Sequence, residues 1–322
     1  MGKLELKLFH SLWGKLNNPL TGGTSSYEAC VAALGQRKYT GFEVPLACAL
    51  DLGKDKFDGE RLSHNLDWIA MVFTDGPACP GWEGRHPGFT APDLCYGSVA
   101  KQVKTFQEQV EESLNWNPIR INCHAGNDYW SDAQKHEFFN TVLPWLEQFD
   151  TDVTFETHRM RILYSPWETR KLIQVLCKSH NIKLCADYSH FVNVAECHPS
   201  FTPLQDVFQF LNPYVKHIHA RVGFEEGPQV NDPRDPKWAS HVEGHLTQWE
   251  DIWRYHEKQG EKFVTVCTEH GPKDYQHSMP YTHEDLAGNW QVNDWVGEQV
   301  RARFESGTWR QENLDKATTH PL

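Results

Sequence analysis

The chain has no Gly-x-Gly-x-x-Gly turn after its first strand-like run, no Cys-x-x-Cys pair, no block of basic residues and no apolar run approaching membrane-spanning length. Each absence removes a class. Without the glycine turn, a dinucleotide-binding doubly wound sheet lacks its phosphate loop. The nine cysteines are an odd number, and Cys123, Cys185 and Cys267 lie inside apolar runs, where cysteine behaves as a small hydrophobe. That points to a reduced, cytoplasmic compartment instead of a disulfide framework. A net charge of −12 repels phosphate backbones, so nucleic acid is not an expected partner. No cationic start leads into an apolar core and a small-residue cleavage site, and neither secretion nor membrane association is expected. There is no low-complexity tract and no internal repeat beyond an alternation of elements.

What is present is enough for a large core. The 322 residues are 39% apolar and include 13 tryptophans, and residues 1–322 are expected to form one domain with an aromatic-lined cleft. Strand patterns fall at Leu4 to Phe9, Tyr39 to Val44, Trp68 to Phe73, Ile119 to His124, Thr154 to His158, Leu184 to Ala186, Val215 to Arg221 and Val264 to His270. Helical patterns fall between them: Tyr27 to Leu34, Val99 to Leu114, Asp132 to about Phe149 with Asp132 as N-cap, a helix opening at Ser165-Pro166, Leu204 to Leu211, Trp249 to Lys258 and Asp294 to Phe304. Eight strands alternating with helices over the whole length predict a closed parallel α/β barrel of eight βα units. Three long irregular segments, Thr74 to Gly97, Gly223 to Leu246 and Gly271 to Gln291, each follow a strand and precede a helix. In a barrel all three cover the catalytic face. The polar tail Asp315 to Leu322 is expected to fray.

Four strand exits end in a carboxylate or an imidazole: Glu156, Asp187, His219 and Glu269. Each has an ordinary structural explanation. Glu156 has Arg159 and Arg161 nearby, Asp187 could cap the next segment, His219 could be a satisfied core histidine, and Glu269 could pair with a lysine. Four in succession is a coincidence those explanations do not cover. Hard oxygen ligands with one borderline nitrogen suit a single divalent ion, manganese first, with magnesium, cobalt and zinc as alternatives. No thiolate is in the set, against a closed structural zinc site. His190 is expected on the loop after the sixth strand. His124, Glu43, Trp13 and Trp130 are candidate pocket-lining residues, and His217 shares a strand face with His219. His158 and His270 follow proposed ligands closely and are expected to point away.

With these residues the chain resembles the xylose isomerase-like TIM barrels, a group of sugar isomerases and epimerases with endonuclease IV as a distant relative. The resemblance spans nearly the whole length through short motifs. It implies metal ligation by Glu156, by Asp187 in an Asp-x-x-His pair, by His219 and by Glu269, with His190 near the substrate. It also implies that Glu156 and Glu269 double as acid and base on opposite faces of a sugar or sugar acid. The substrate-gripping arginine a few residues beyond the strand-seven histidine is replaced by Glu225, leaving Arg221 as the cationic candidate. The implied reaction is isomerisation or epimerisation by proton abstraction alpha to a carbonyl, through an enediolate. A lyase or dehydratase begins with the same proton. An abasic-site nuclease would need more histidines: the third strand ends Val72-Phe73-Thr74, and Asn231-Asp232-Pro233-Arg234-Asp235 replaces the expected Asp-x-His. No Gly-rich turn with a nearby lysine marks a phosphate site in the last two loops, which favours an unphosphorylated substrate. Barrels of this kind often pair, so a homo-oligomer is a further expectation.

Overall fold

The computed structural model describes residues 3–74, 98–272 and 275–311. Eight strands, β1 (Glu5–Ser11), β2 (Gly41–Pro45), β3 (Asp67–Phe73), β4 (Arg120–His124), β5 (Val153–Glu156), β6 (Leu184–Ala186), β7 (Val215–Ala220) and β8 (Phe263–Thr268), pair in sequence order, all parallel. Pairing of β1 with β8 closes the barrel. The helices are α1 (Tyr27–Gln36), α2 (Leu46–Leu52), α3 (Lys54–Ser63), α4 (Val99–Leu114), α5 (Asp132–Leu146), α6 (Pro166–Leu176), α7 (Tyr188–Ala195), α8 (Thr202–Leu211), α9 (Ala239–Gln259) and α10 (Asn289–Ser306). The architecture is the (β/α)8 TIM barrel. Among the described residues no helix is long and apolar enough to cross a membrane.

Strand alternation sorts the side chains into two populations. Leu8, Phe42, Val44, Ala70, Val72, Ile121, Phe155, Ala186, Ile218 and Val266 join the large apolar core with the helices. Their strand neighbours face the barrel axis. One inward set, Phe9, Ile69 and Cys267, forms a separate small apolar cluster. Gly41 makes room for it: a Cβ there would lie 2.6 Å from the Phe9 ring and 2.0 Å from the Asp67 carbonyl oxygen. Many of the other inward positions are polar and buried, among them Glu43, Asn122, Thr154, Glu156, His217, His219 and Thr265. Buried polar groups persist only where they are partnered, so this interior is a hydrogen-bonded assembly aimed toward the carboxyl ends of the strands.

Several elements differ from the sequence expectation. His190 lies in helix α7, not on a loop, because Asp187 caps that helix immediately after β6 and accepts from the Ser189 N–H. The N-cap of α5 is Ser131, not Asp132. Ser131 and Gln134 form a reciprocal capping box, and the helix ends at Leu146, short of Phe149. Helix α9 begins at Ala239 and α10 at Asn289, so the second and third long loops end sooner than expected. The polar first half of α9 is held by packing: a Cβ on Gly244 would lie 2.7 Å from the Pro199 ring. Helices α2 and α3 were not expected, since α3 buries only Phe57 and Arg61 and carries little apolar periodicity. The first long loop beyond Thr74 and the tail from Asp315 lie outside the described residues.

Candidate metal centre

Glu156 is the last residue of β5, Asp187 follows β6 directly, His219 is the penultimate residue of β7, and Glu269 follows β8 directly. Parallel strands in a closed barrel deliver these exits to one side of one mouth. All four side chains are buried, and one ligand atom from each lies within 4.8 Å of every other. The barrel thus gathers the four residues that the sequence pattern grouped.

The hydrogen bonds around them leave one atom of His219 and one of Glu156 without an aligned partner, while Asp187 and Glu269 are engaged by Ser189 and Arg221. His219 Nε2 lies 3.0 and 3.2 Å from the two Glu43 oxygens, so this nitrogen donates and Nδ1 is left as the ligand atom. Nδ1 is 2.8 Å from Glu269 Oε2 and 3.6 Å from Glu156 Oε2, yet makes no aligned hydrogen bond. Glu156 Oε1 is likewise buried without a partner among the described residues. Ligand atoms about 2.1 Å from one ion and at right angles to each other sit about 3 Å apart, so the spacing fits a shared cation. Electrostatics agree. Burial lowers the His219 pKa, but Cys185 and the carboxylates of Glu269, Glu43 and Glu156 raise it well above the ordinary histidine range. Such a negative interior favours a positive charge, and a divalent ion supplies more of it than a proton.

The supporting side chains are specific. Asn122 Nδ2 donates to Glu156 Oε2 at 2.7 Å and to Glu43 Oε1 at 3.1 Å. Burial pushes the Glu156 carboxyl up, but His124 and His219 outweigh it and hold it well below the usual range. His124 Nε2 is 2.9 Å from Glu156 Oε2. Asp187 is raised by burial, with Arg221 opposing and Glu269 and Glu156 adding to the rise. Arg221 grips Asp187 Oδ2 through Nε at 3.1 Å and through Nη2, and Nη2 also reaches Glu269 Oε2 at 3.1 Å. Its guanidinium lies 5.8 Å from the Trp13 ring and 5.0 Å from the Tyr275 ring. Nη2 is also 3.2 Å from His190 Nε2. Arginine only donates, so His190 accepts there and carries its proton on Nδ1, which is buried and without a partner among the described residues.

Two expected positions fall elsewhere. Glu43, grouped with the pocket lining, lies beneath the cluster. Its oxygens are taken by His217 Nε2 at 3.0 Å, by His219 and by Asn122, and this orients His219. Trp130 packs on Phe138 instead of lining the mouth. His270 does turn away, bonding Gln276 and Gln229. His158 does not: its ring centroid is 4.8 Å from that of His124 and 3.9 Å from that of His190. Sequence reading passed over Asn122 and Tyr275. Asn122 left a signal, a polar residue between Ile121 and Cys123 on the strand face that also carries His124, whereas Tyr275 on its loop left none.

No family model and no curated protein sequence matches the chain. Solved structures do match its fold. The probable 3-DHS dehydratase AsbF of Bacillus anthracis superposes with a TM-score of 0.57 at 12% identity, over 92% of this chain and 98% of that one. A D-allulose 3-epimerase from a Methylomonas species gives 0.57 at 10% identity, over 94% and 100%. A mannonate dehydratase from Streptococcus suis gives 0.54 at 9% identity, over 99% of each chain. The chain shares the barrel fold of these sugar epimerases and dehydratases along nearly its whole length.

Proposed function

We propose that this protein is a divalent-metal-dependent isomerase or epimerase of an unphosphorylated sugar or sugar acid. The observation that carries the reading is the convergence of Glu156, Asp187, His219 and Glu269 on one point at the barrel mouth. These four would hold the ion, manganese by preference for three hard carboxylates and one imidazole. When bound, such an ion would supply Lewis acidity toward the oxygens of a hydroxy-carbonyl substrate, making the C–H beside the carbonyl easier to deprotonate.

The protein's own residues would supply the proton transfer. Glu156 is held ionised by His124 and His219 and can accept a proton at neutral pH. Glu269, fixed by Arg221, is the partner that returns a proton to the neighbouring carbon or to the opposite face. The free Nδ1–H of His190 and the unpartnered Nη1 of Arg221 are donors available to substrate oxygens. The Trp13 and Tyr275 rings lie beside the Arg221 guanidinium and offer it apolar faces. Elimination starts with the same abstraction, and the barrel is shared with dehydratases as well as epimerases, so a lyase is the second reading.

One experiment tests both. The purified protein is incubated with manganese and candidate keto-sugars or sugar acids in deuterated water. Solvent deuterium in an isomeric product supports the proposal, whereas deuterium with loss of water assigns a lyase. Glu156→Gln and Glu269→Gln should each lower the exchange rate by about 100-fold or more. Undiminished exchange in both variants, or after chelation, would sink the proposal.

A further inference from the structure

We infer that the amino end of the barrel holds a binding site for a phosphate group, built on Arg120 with Lys216 and Lys262. Arg120 opens β4 and His124 closes it beside the metal centre. At about 3.3 Å per residue the two ends of that strand are about 13 Å apart, so the occupant is distinct from the substrate of the mouth. A cavity of about 340 Å³ is present at the amino end, within the range of about 300–1,000 Å³ usual for small-molecule sites. Arg120 lines it together with Asp152 just before β5, Lys216 of β7 and Phe263, the first residue of β8.

The anchor is a buried cation with an unused edge. Ile121 and Cys123 join the outer apolar core, so Arg120 shares the inward face of β4 with Asn122 and His124. Its side chain is only 4% exposed. Nη1 donates to Asp152 Oδ2 at 2.8 Å, whereas Nε is buried without a partner among the described residues. Nε and Nη2 make up the side-on edge of the guanidinium, the fork that fits two oxygens of one phosphate. Burial lowers the Arg120 pKa and Asp152 opposes that shift. A guanidinium does not give up its proton in a protein, so a further negative charge is what relieves the burial.

The surrounding charges favour an anion. Asp152 is shared between Arg120 and Lys183, Glu261 holds Lys216, and Lys262 adds an exposed ammonium at the rim. Four cations thus meet two acids, in a chain whose net charge is −12. The local surplus matches a phosphate, which carries a charge of about −1.5 to −2 at neutral pH, better than a single carboxylate. The C-terminus of α9 borders the cavity, but the His256 and Glu257 carbonyls there accept from the Glu261 and Gly260 N–H groups. Fewer bare carbonyls are left to repel an anion.

The test is a calorimetric titration of the full-length protein with sodium phosphate and with glycerol phosphate, against sodium chloride at matched ionic strength. The wild type should bind one phosphate per chain with a Kd below about 1 mM. The tighter of the two ligands shows whether free phosphate or a phosphate ester is the occupant. Arg120→Lys keeps the charge but loses the fork, and Lys262→Gln removes a charge at the rim. Each should weaken binding about ten-fold, the effect of one charge-assisted hydrogen bond. Circular dichroism identifies an Arg120→Lys protein that fails to fold, and the exposed Lys262→Gln carries the test without it. Glu269→Gln, at the other end of the barrel, should bind phosphate as the wild type does. Phosphate bound at the mouth instead would be lost in Glu269→Gln and unchanged in Lys262→Gln, and that pattern would overturn the site. So would the lack of saturable binding by the wild type, or malonate binding as tightly as phosphate.

Discussion

Asn122 shows how much of this site depends on one amide. It is fully buried, and its Nδ2 serves two carboxylates that no other described side-chain amide reaches, while its Oδ1 accepts from Thr154 at 3.3 Å. Asn122→Leu keeps the volume but leaves Glu156 Oε2 and Glu43 Oε1 each short of a donor inside the barrel. Each oxygen keeps one neighbour, His124 at Glu156 and His219 at Glu43, so the loss is that of two hydrogen bonds to charged groups and should total about 3 kcal/mol in urea unfolding. Because Asn122 and Glu43 orient atoms of the proposed ligands, metal affinity should also fall, by about 10–100-fold, the usual effect of losing an outer partner. Equilibrium dialysis of the folded variant measures this separately from stability. An affinity equal to the wild type would mean that the amide supports the fold and not the ion.

At the level of elements, helix α5 offers a test of what local sequence decides. Ser131 caps the helix through the Gln134 N–H while the Gln134 side chain reaches back, and Asp132 contributes as an exposed first-turn acid. Ser131→Ala should therefore cost about 1 kcal/mol and Asp132→Ala no more than about half of that, read as shifts in unfolding midpoint. The reverse order would restore Asp132 as the cap. The eight strands were legible because their outward residues are almost all apolar, and α4 matched its pattern at both ends. Helices α2, α3 and α7 were not, being short or carrying few buried apolar residues, and the start of α9 depends on contact with Pro199. The same division holds at the site. Glu156, Asp187, His219 and Glu269 were legible as strand exits. The place of Glu43 was not, because its bond to His219 spans 176 residues and follows from closure of the barrel. His158 escaped because β5 ends at Glu156, and the two-residue period has no meaning past a strand's end.

Across the whole molecule, acid stability is set by histidines buried without charge. His245 bonds the Gly223 backbone, His256 the Val215 carbonyl, and His270 the side chains of Gln276 and Gln229. Burial lowers their pKa values to about 4, about 4 and about 3. In the unfolded chain each takes up a proton near pH 6.5, so between about 6.5 and 4 the unfolded state binds more protons than the folded one. Stability must then fall as pH falls, by up to about 1.4 kcal/mol per pH unit for each group. His10, His158, His190 and His217 are lowered by burial as well and add to that slope, while burial raises the carboxyls of Asp187 and Glu250, which oppose it toward its acid end. Glu43 and Glu156 are held below the usual carboxylate range, so their contribution is complete above about pH 4.5 and is lost only in stronger acid. His219 is raised, so its contribution is complete below about pH 6.5 and is lost on the alkaline side. Metal-free protein should therefore show a urea midpoint that drops from pH 7 to pH 5. His256→Gln, remote from the barrel mouth, should shallow that drop because its amide can still donate to Val215 and does not titrate. Equal midpoints at the two pH values would mean that these histidines are already charged in the folded protein. The neutral-imidazole account of the loops and of α9 would then fail.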